Sequence, residues 1–460
     1  MSSDDRRSEV GRAQPSPVQR TTEARPAGRS RRNFLGLAGG GLLVGAAAAG
    51  GMLAVDRLVA TAAGDDAAYR PSGPAADTGL ILVSIQLGGG LDFLDTVIPI
   101  GSSRYGELRR SSGVQLDAAH AIDADHALHP SLPHLADRWR SGELAIVHGV
   151  GYADSSLSHF VDTAIWERGS VDPGEGTGWL GRALDAYAGP DADALIGVSL
   201  GNLSPTMYGP DWNAVALAED GRLPWTPEFV EEHPELALAA GRLLDTADAR
   251  GSGGGSGDLA ARVRDGQSLV RQVAETVGGA TDLGALGRTV ELFERDGDDE
   301  LGGGVLGHRL GVVADLIVAG LPTRAYHVVH GGDFDTHGDQ QATLPALLQS
   351  LDDGLRSFDR RLGPMRDRVV VATWTEFGRR PDWNGNGTDH GTAGTQLVIG
   401  PRAAGGHHGT PVSLDRFDDD DNFLVTGDYR SYLGGLTEGV LGVEASRVVG
   451  RGVEPMAVIA

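Results

Sequence analysis

Two rhythms of apolar and polar positions run along this chain. Short, nearly unbroken apolar runs recur at "GLILVSIQLGG" (79–89), "ELAIVHGVG" (143–151), "DALIGVSLG" (193–201), "TRAYHVVH" (323–330), "DRVVVATW" (367–374) and "TQLVIG" (395–400). Runs of this length with no polar face read as strands buried on both sides. Between them lie three-to-four-residue periodicities: "SLPHLADRWRSG" (131–142), "SHFVDTAIWERG" (158–169) and "ATLPALLQSLDDGLRSFDRRLG" (342–363). These read as helices, the second with Ser158 at its N-cap. From Thr226 to Ala319 the pattern is mostly helical, broken by "GSGGGSG" (251–257). That stretch reads as a flexible surface loop and not a domain border, because helical patterns resume at once. Strands alternating with helices predict an α/β fold: a central, mostly parallel sheet flanked by helices, with 226–320 as a largely helical insertion.

The N-terminus follows different rules. "SRRNFLGLAGGGLLVGAAAAGGMLAV" (30–55) places paired arginines before a Gly- and Ala-rich apolar run. It resembles a twin-arginine export signal, and "VATAAG" (59–64) supplies small residues for cleavage. Left uncleaved, Asn33 to Val55 is long enough to span a bilayer, for which ~20 residues suffice. Residues 1–64 are therefore expected to be a signal and disordered N-terminus, and 79–445 the folded domain. The expected partner is the twin-arginine export machinery. The expected location lies beyond the cytoplasmic membrane, extracellular or in the cell envelope, with membrane contact only through an uncleaved signal.

Composition narrows the chemistry. The 460 residues carry 39 basic and 63 acidic side chains, a formal charge of −24. Such a chain repels nucleic acid and anionic lipid. It contains no Cys, which excludes disulfides, thiolate catalysis and thiolate-bound zinc. It contains no Lys either, which excludes Schiff-base and phosphate-loop lysines.

In open α/β sheets ligands gather at the carboxyl ends of strands, so the polar residues directly after each apolar run are the ones to weigh. They are Asp92 and Asp95; Ser158 and His159; Asp333, Asp335 and His337; Glu376, Arg379 and Arg380; Asp389 and His390; and His407 with His408. A single Asp in such a place is ordinarily a cap or turn residue. Repetition at five or six consecutive strand ends points to an ion or anion site. Carboxylate and imidazole suit zinc, manganese or magnesium.

The pieces "GGGLDFLDTVIP", "ALHPSL", "GELAIVHGVG", "SHFVDTAIWERG", "GWLGR", "DFDTHGDQ", "TEFGRR" and "TDHGTAG", taken in order, resemble the domain of unknown function 1501 family. More distantly, the order of candidate residues resembles the alkaline-phosphatase superfamily, which includes sulfatases. That likeness implies an alkaline-phosphatase-like sheet and metal ligands at Asp92, at Asp333 or Asp335, and at His337, Asp389, His390 and His407. It implies Ser158 as the nucleophile. The choice between Asp333 and Asp335 stays open. Leu91, Leu157 and Leu344 depart from the nearer family's usual Asn, Arg and His, which weakens the anion site and one metal position. If the chain is an enzyme, Ser158 would attack the phosphorus or sulfur of a small anionic ester, His159 or Glu376 would move protons, and Arg379 or Arg380 would hold the oxyanion. The competing reading is a non-catalytic descendant that binds a ligand at the cell envelope.

Overall fold

The computed structural model describes residues 79–110, 112–171, 176–188, 194–201, 204–210, 214–217 and 303–460. The expected signal and most of the expected insertion, with its loop at 251–257, lie outside the described residues. The end of the insertion is described, as the helix Gly304–Val318. No helix among the described residues is long and apolar enough to cross a membrane.

Among the described residues fourteen strands follow one another: β1 (Ile81–Gln86), β2 (Val97–Ile98), β3 (His120–Ala121), β4 (Ala127–Leu128), β5 (Leu144–Gly151), β6 (Gly197–Leu200), β7 (Val215–Leu217), β8 (Ala325–Val329), β9 (Val369–Trp374), β10 (Gly378–Arg379), β11 (His390–Gly391), β12 (Gly394–Ile399), β13 (Gly406–His408) and β14 (Gly427–Asp428). Nine of them form one sheet in the order β13-β5-β12-β9-β1-β8-β6-β7, with β14 also paired to β5. β9, β1, β8, β6 and β7 are mutually parallel, and β13 and β14 run parallel to β5. β12 runs antiparallel to both of its neighbours. The protein is thus an α/β fold on a mostly parallel sheet, as the strand–helix alternation predicts.

Each apolar run feeds two cores at once. Ile81, Val83 and Ile85 face one side of the sheet, against Leu306, Leu310 and Val313 and against Leu348, Leu351 and Leu355. Leu82 faces the other side, with Val370 and Ala372 beside it and Ile165, Trp166, Trp179 and Tyr432 above. Period-two alternation with apolar side chains on both faces is why these strands read as continuous hydrophobic stretches. The helix Gln340–Leu362 covers the first face; the helices His159–Arg168, Trp179–Ala188 and Tyr429–Leu436 cover the second.

Strand direction also sets the edge where chemistry collects. The loops after β1, β5, β8 and β9 all leave from the same edge of the sheet. Because β12 is reversed, the segment before it, Asp389 to Ala393, arrives at that edge too. The short pair β10–β11 then sets Arg379 opposite His390.

Candidate metal centre

Three imidazoles meet one carboxylate at this edge. His159 opens the helix His159–Arg168 and projects from its first turn. His337 and Asp335 leave the turn after β8, and His390 sits in β11. Asp335 Oδ1 lies 3.0 Å from His390 Nε2 and 3.1 Å from His337 Nε2. The two Nε2 atoms are 2.9 Å apart. On the other carboxylate oxygen, Asp335 Oδ2 lies 3.3 Å from His159 Nε2. Ligand atoms of His159, Asp335 and His390 all fall within 4.8 Å of one another.

The far nitrogen of each ring shows what the near one offers. His159 Nδ1 faces Glu376 Oε1 at 2.8 Å, His337 Nδ1 faces Asp389 Oδ1 at 2.9 Å, and His390 Nδ1 faces the Leu157 carbonyl at 2.8 Å. Each of these oxygens accepts, so in the neutral rings the proton belongs on Nδ1 and Nε2 keeps a lone pair. Three lone pairs and a carboxylate then point at one another, and His159 Nε2 is buried without a hydrogen-bond partner. That arrangement repels itself unless a cation or extra protons lie between. Protons are the competitor: hydrogen bonding to Glu376 and the nearby carboxylates raise the His159 pKa, although burial opposes this. Burial by itself would raise Asp335, but Arg379 and His390 hold its carboxyl down to about 2. The donor set fits a divalent ion. Edges of 2.9, 3.0 and 3.1 Å match the ~3 Å between neighbouring donors around an ion bound at ~2.1 Å in an octahedral shell. Imidazoles whose second nitrogen is anchored to an oxygen are the usual support of such a set.

Backbone geometry builds the cradle. Gly89 has φ +112°, and a Cβ there would lie 2.3 Å from the Asp335 amide nitrogen. Only glycine lets the β1 loop pass this close to the turn that carries Asp335. Its N–H donates to Glu376 Oε1 at 2.8 Å, fixing the carboxylate that orients His159. Leu157 sits at φ +55°, a conformation that costs a branched residue ~1–2 kcal/mol. Its carbonyl is thereby turned to His390. Ser158, between Leu157 and His159, is the N-cap residue, yet its hydroxyl makes no capping bond. Phe160, two positions beyond Ser158, stands 91% exposed.

Not every residue singled out by sequence joins this cluster. Asp92 is fully buried and spent internally: it caps the turn at Phe93–Thr96 through the Leu94 and Asp95 amides. It also pairs with Arg109 Nη2 at 3.2 Å and accepts from Gln340 Nε2 at 2.8 Å. The structure thus gives Asp92 a structural role, because a buried guanidinium has claimed it. Asp333 is exposed and its Oδ1 accepts the Asp335 amide at 3.0 Å, a turn-closing role. Of the two aspartates, the structure puts Asp335 in the cluster. Arg379 is fully buried and donates to the carbonyls of Gly90 (2.7 Å), Thr388 (2.8 Å), Phe334 (2.9 Å) and Gly89, and to Asp335 (2.6 Å). It supports the cradle and does not face a substrate. Arg380 is partly exposed at the rim, its Nε donating to the His390 carbonyl at 3.2 Å. His407 lies elsewhere. β13 pairs with β5 at Ile146, five residues before Gly151, roughly 16 Å short of the strand tip at ~3.3 Å per residue.

Several supporting residues escaped the sequence reading. Asp162 is buried and takes hydrogen bonds from Tyr152, from Ser155 at 2.8 Å and from Ser156 at 2.7 Å, tying down the loop that carries Ser158. Asn384 donates to Asp389 at 3.0 Å. Arg109, Gln340 and Thr388 complete the buried network around Asp92. A capping pattern at the start of a helix would have flagged Asp162, which lies in its first turn; nothing in local spacing marks Arg109.

No curated protein matches the chain at a significant level. Among solved structures, the crystal structure of Ps i-CgsB in complex with k-i-k-neocarrahexaose aligns over 80% of this chain and 73% of its own, at 10% identity and a TM-score of 0.34. The crystal structure of Ps i-CgsB aligns over 82% and 77%, at 9% identity and a TM-score of 0.32. Residues 284–421, which carry Asp335, His337, Glu376, Asp389 and His390, match the family described as "Protein of unknown function (DUF1501)", and this supports that family for the chain.

Proposed function

We propose that this protein is an exported, metal-dependent hydrolase of phosphate or sulfate esters. The observation that carries the reading is the convergence of the His159, His337 and His390 Nε2 atoms on the Asp335 carboxylate, each ring anchored from behind. In this reading His159, Asp335, His337 and His390 hold the ion. Three imidazoles favour zinc or manganese over magnesium, which takes oxygen ligands. When bound, the ion supplies Lewis-acid polarisation of the ester oxygen. Glu376 orients His159, and Asp389 orients His337. Ser158, its hydroxyl not used for capping, stands at a helix N-terminus as the nucleophile. Arg380 at the rim is the remaining cation for the ester anion. Export by the twin-arginine route, with a cleaved or anchoring segment before residue 64, is part of the same proposal.

The test is metal analysis of protein purified after folded export, paired with an arylphosphate and arylsulfate screen. Asp335→Asn should lose metal and turnover together, and Ser158→Ala should keep metal and lose turnover. Wild-type protein without metal and without turnover overturns the proposal. A second reading, a non-catalytic ligand binder of the cell envelope, is favoured by the internal use of Asp92 and Arg379, which leaves one metal-binding set here and a poorer anion grip. Full metal occupancy with no hydrolysis of any arylester would select it.

A further inference from the structure

A second histidine cluster lies on the edge strand of the sheet, away from the first. Asp123 and His126 belong to the turn between β3 and β4, His148 to β5 and His407 to β13. Asp123 is rigidly aimed: its Oδ1 accepts the amides of Asp125 and His126 at 2.7 Å each. Its Oδ2 is left 2.7 Å from His407 Nε2. His126 Nδ1 lies 3.3 and 3.4 Å from the two carboxylate oxygens. Ligand atoms of all three residues fall within 4.8 Å of one another. Behind them, His148 Nε2 meets His407 Nδ1 at 2.7 Å. His148 is buried, so it holds the His407 ring in place and sets its tautomer, as an outer partner does for a metal-bound imidazole. The Trp139 ring packs 4.8 Å from the His407 ring and forms an apolar wall, and its Nε1 donates to the Ile122 carbonyl at 2.8 Å, beside the same turn.

We propose that Asp123, His126 and His407 form a second site for a divalent transition-metal ion of the zinc class, independent of the centre at His159. Two imidazoles and one carboxylate, drawn from an Asp-x-x-His turn and a distant strand, are a donor set that such ions take with coordination positions left open to water. Asp123 and His407 lie open to solvent, so an ion has access. Binding joins the β3–β4 turn to the edge strand β13. That is a structural role: the ion clamps a sheet edge that is held to β5 by three paired residues.

The test uses the mature chain stripped with chelator, then titrated with zinc and desalted, with zinc per chain measured by mass spectrometry of the metal. His126→Ala/His407→Ala should bind one equivalent fewer than wild type. Asp335→Asn should retain the equivalent that the double variant loses. Zinc should raise the Tm of Asp335→Asn, and should raise the Tm of the double variant by less than it raises that of wild type. If the double variant does not fold, His126→Gln takes its place, with a tenfold or greater loss of zinc affinity expected at one site. Stoichiometry and zinc-dependent Tm equal to wild type in the folded variant overturn the proposal. Failure of the first centre shows separately, as wild type and Asp335→Asn binding the same number of ions.

Discussion

Arg379 offers the sharpest test of how the centre is built. In the sequence it stands beside Arg380 after a strand, where an anion-binding role is expected; in the structure it is fully buried and bonds four carbonyls and Asp335. Arg379→Met keeps most of the stem volume and removes the guanidinium. The carbonyls of Gly89, Gly90, Phe334 and Thr388 then lose a charged donor, and Asp335 loses its cation. A hydrogen bond from a charged donor contributes ~1.5–3 kcal/mol, and these do not add. Removing one member of a buried ion pair costs ~3–5 kcal/mol. Asp335 is partly exposed, which screens the pair and excludes the top of that range, so its middle, about 4 kcal/mol, is the expected loss. With ~2.1 cal/mol/K of unfolding entropy per residue over the roughly 280 described residues, that is a fall of ~7 °C in Tm. Arg379→Lys should recover less than half, because an ammonium cannot span the five acceptors. The assay is thermal unfolding of the metal-free protein, followed by calorimetry and circular dichroism. A Tm within ~2 °C of wild type, well under the shift derived above, would refute the reasoning and return Arg379 to the solvent side.

Three further outcomes follow from the same geometry. Asp92→Asn leaves Arg109 buried without its nearest carboxylate and should cost ~3–5 kcal/mol in urea unfolding while metal content stays at wild type; loss of metal would make Asp92 a ligand after all. Asp389→Ala removes the anchor of His337, so metal affinity by chelator competition should fall ~10–100-fold without vanishing. Asp95 is held at about 7, first by burial and then by Asp92. The folded state therefore keeps this proton more tightly than the unfolded one, and stability from this group declines as pH rises from about 4 to about 7. Asp95→Asn should flatten that decline in denaturant midpoints measured across the window; an unchanged slope would show that Asp95 is ionised throughout.

Much of the fold was legible because its signals are local. Val369, Val370 and Val371 announce a strand covered on both faces whatever their neighbours, and Gly169, at φ 60°, ends the helix that starts at His159. The polar residues after β5, β8 and β9 were equally plain, since parallel strands deliver their loops to one edge; Asp389 and His390 reach that edge because β12 is reversed, which no local pattern announces. His159, Asp335, His337 and Glu376 were marked as candidates that way.

What the chain alone determined, then, is where its strands and helices lie and which polar residues stand at their ends, because periodicity and punctuation act over a few residues. Tertiary structure decided which of those residues meet. The pairing of β13 low on β5 took His407 away from the edge and gave it to Asp123, His126 and His148. Arg109, 17 positions away, claimed Asp92, and carbonyls from three segments claimed Arg379. A buried charge takes whichever opposite charge or carbonyl the packing brings within ~3 Å, and that choice is made between segments up to 290 residues apart.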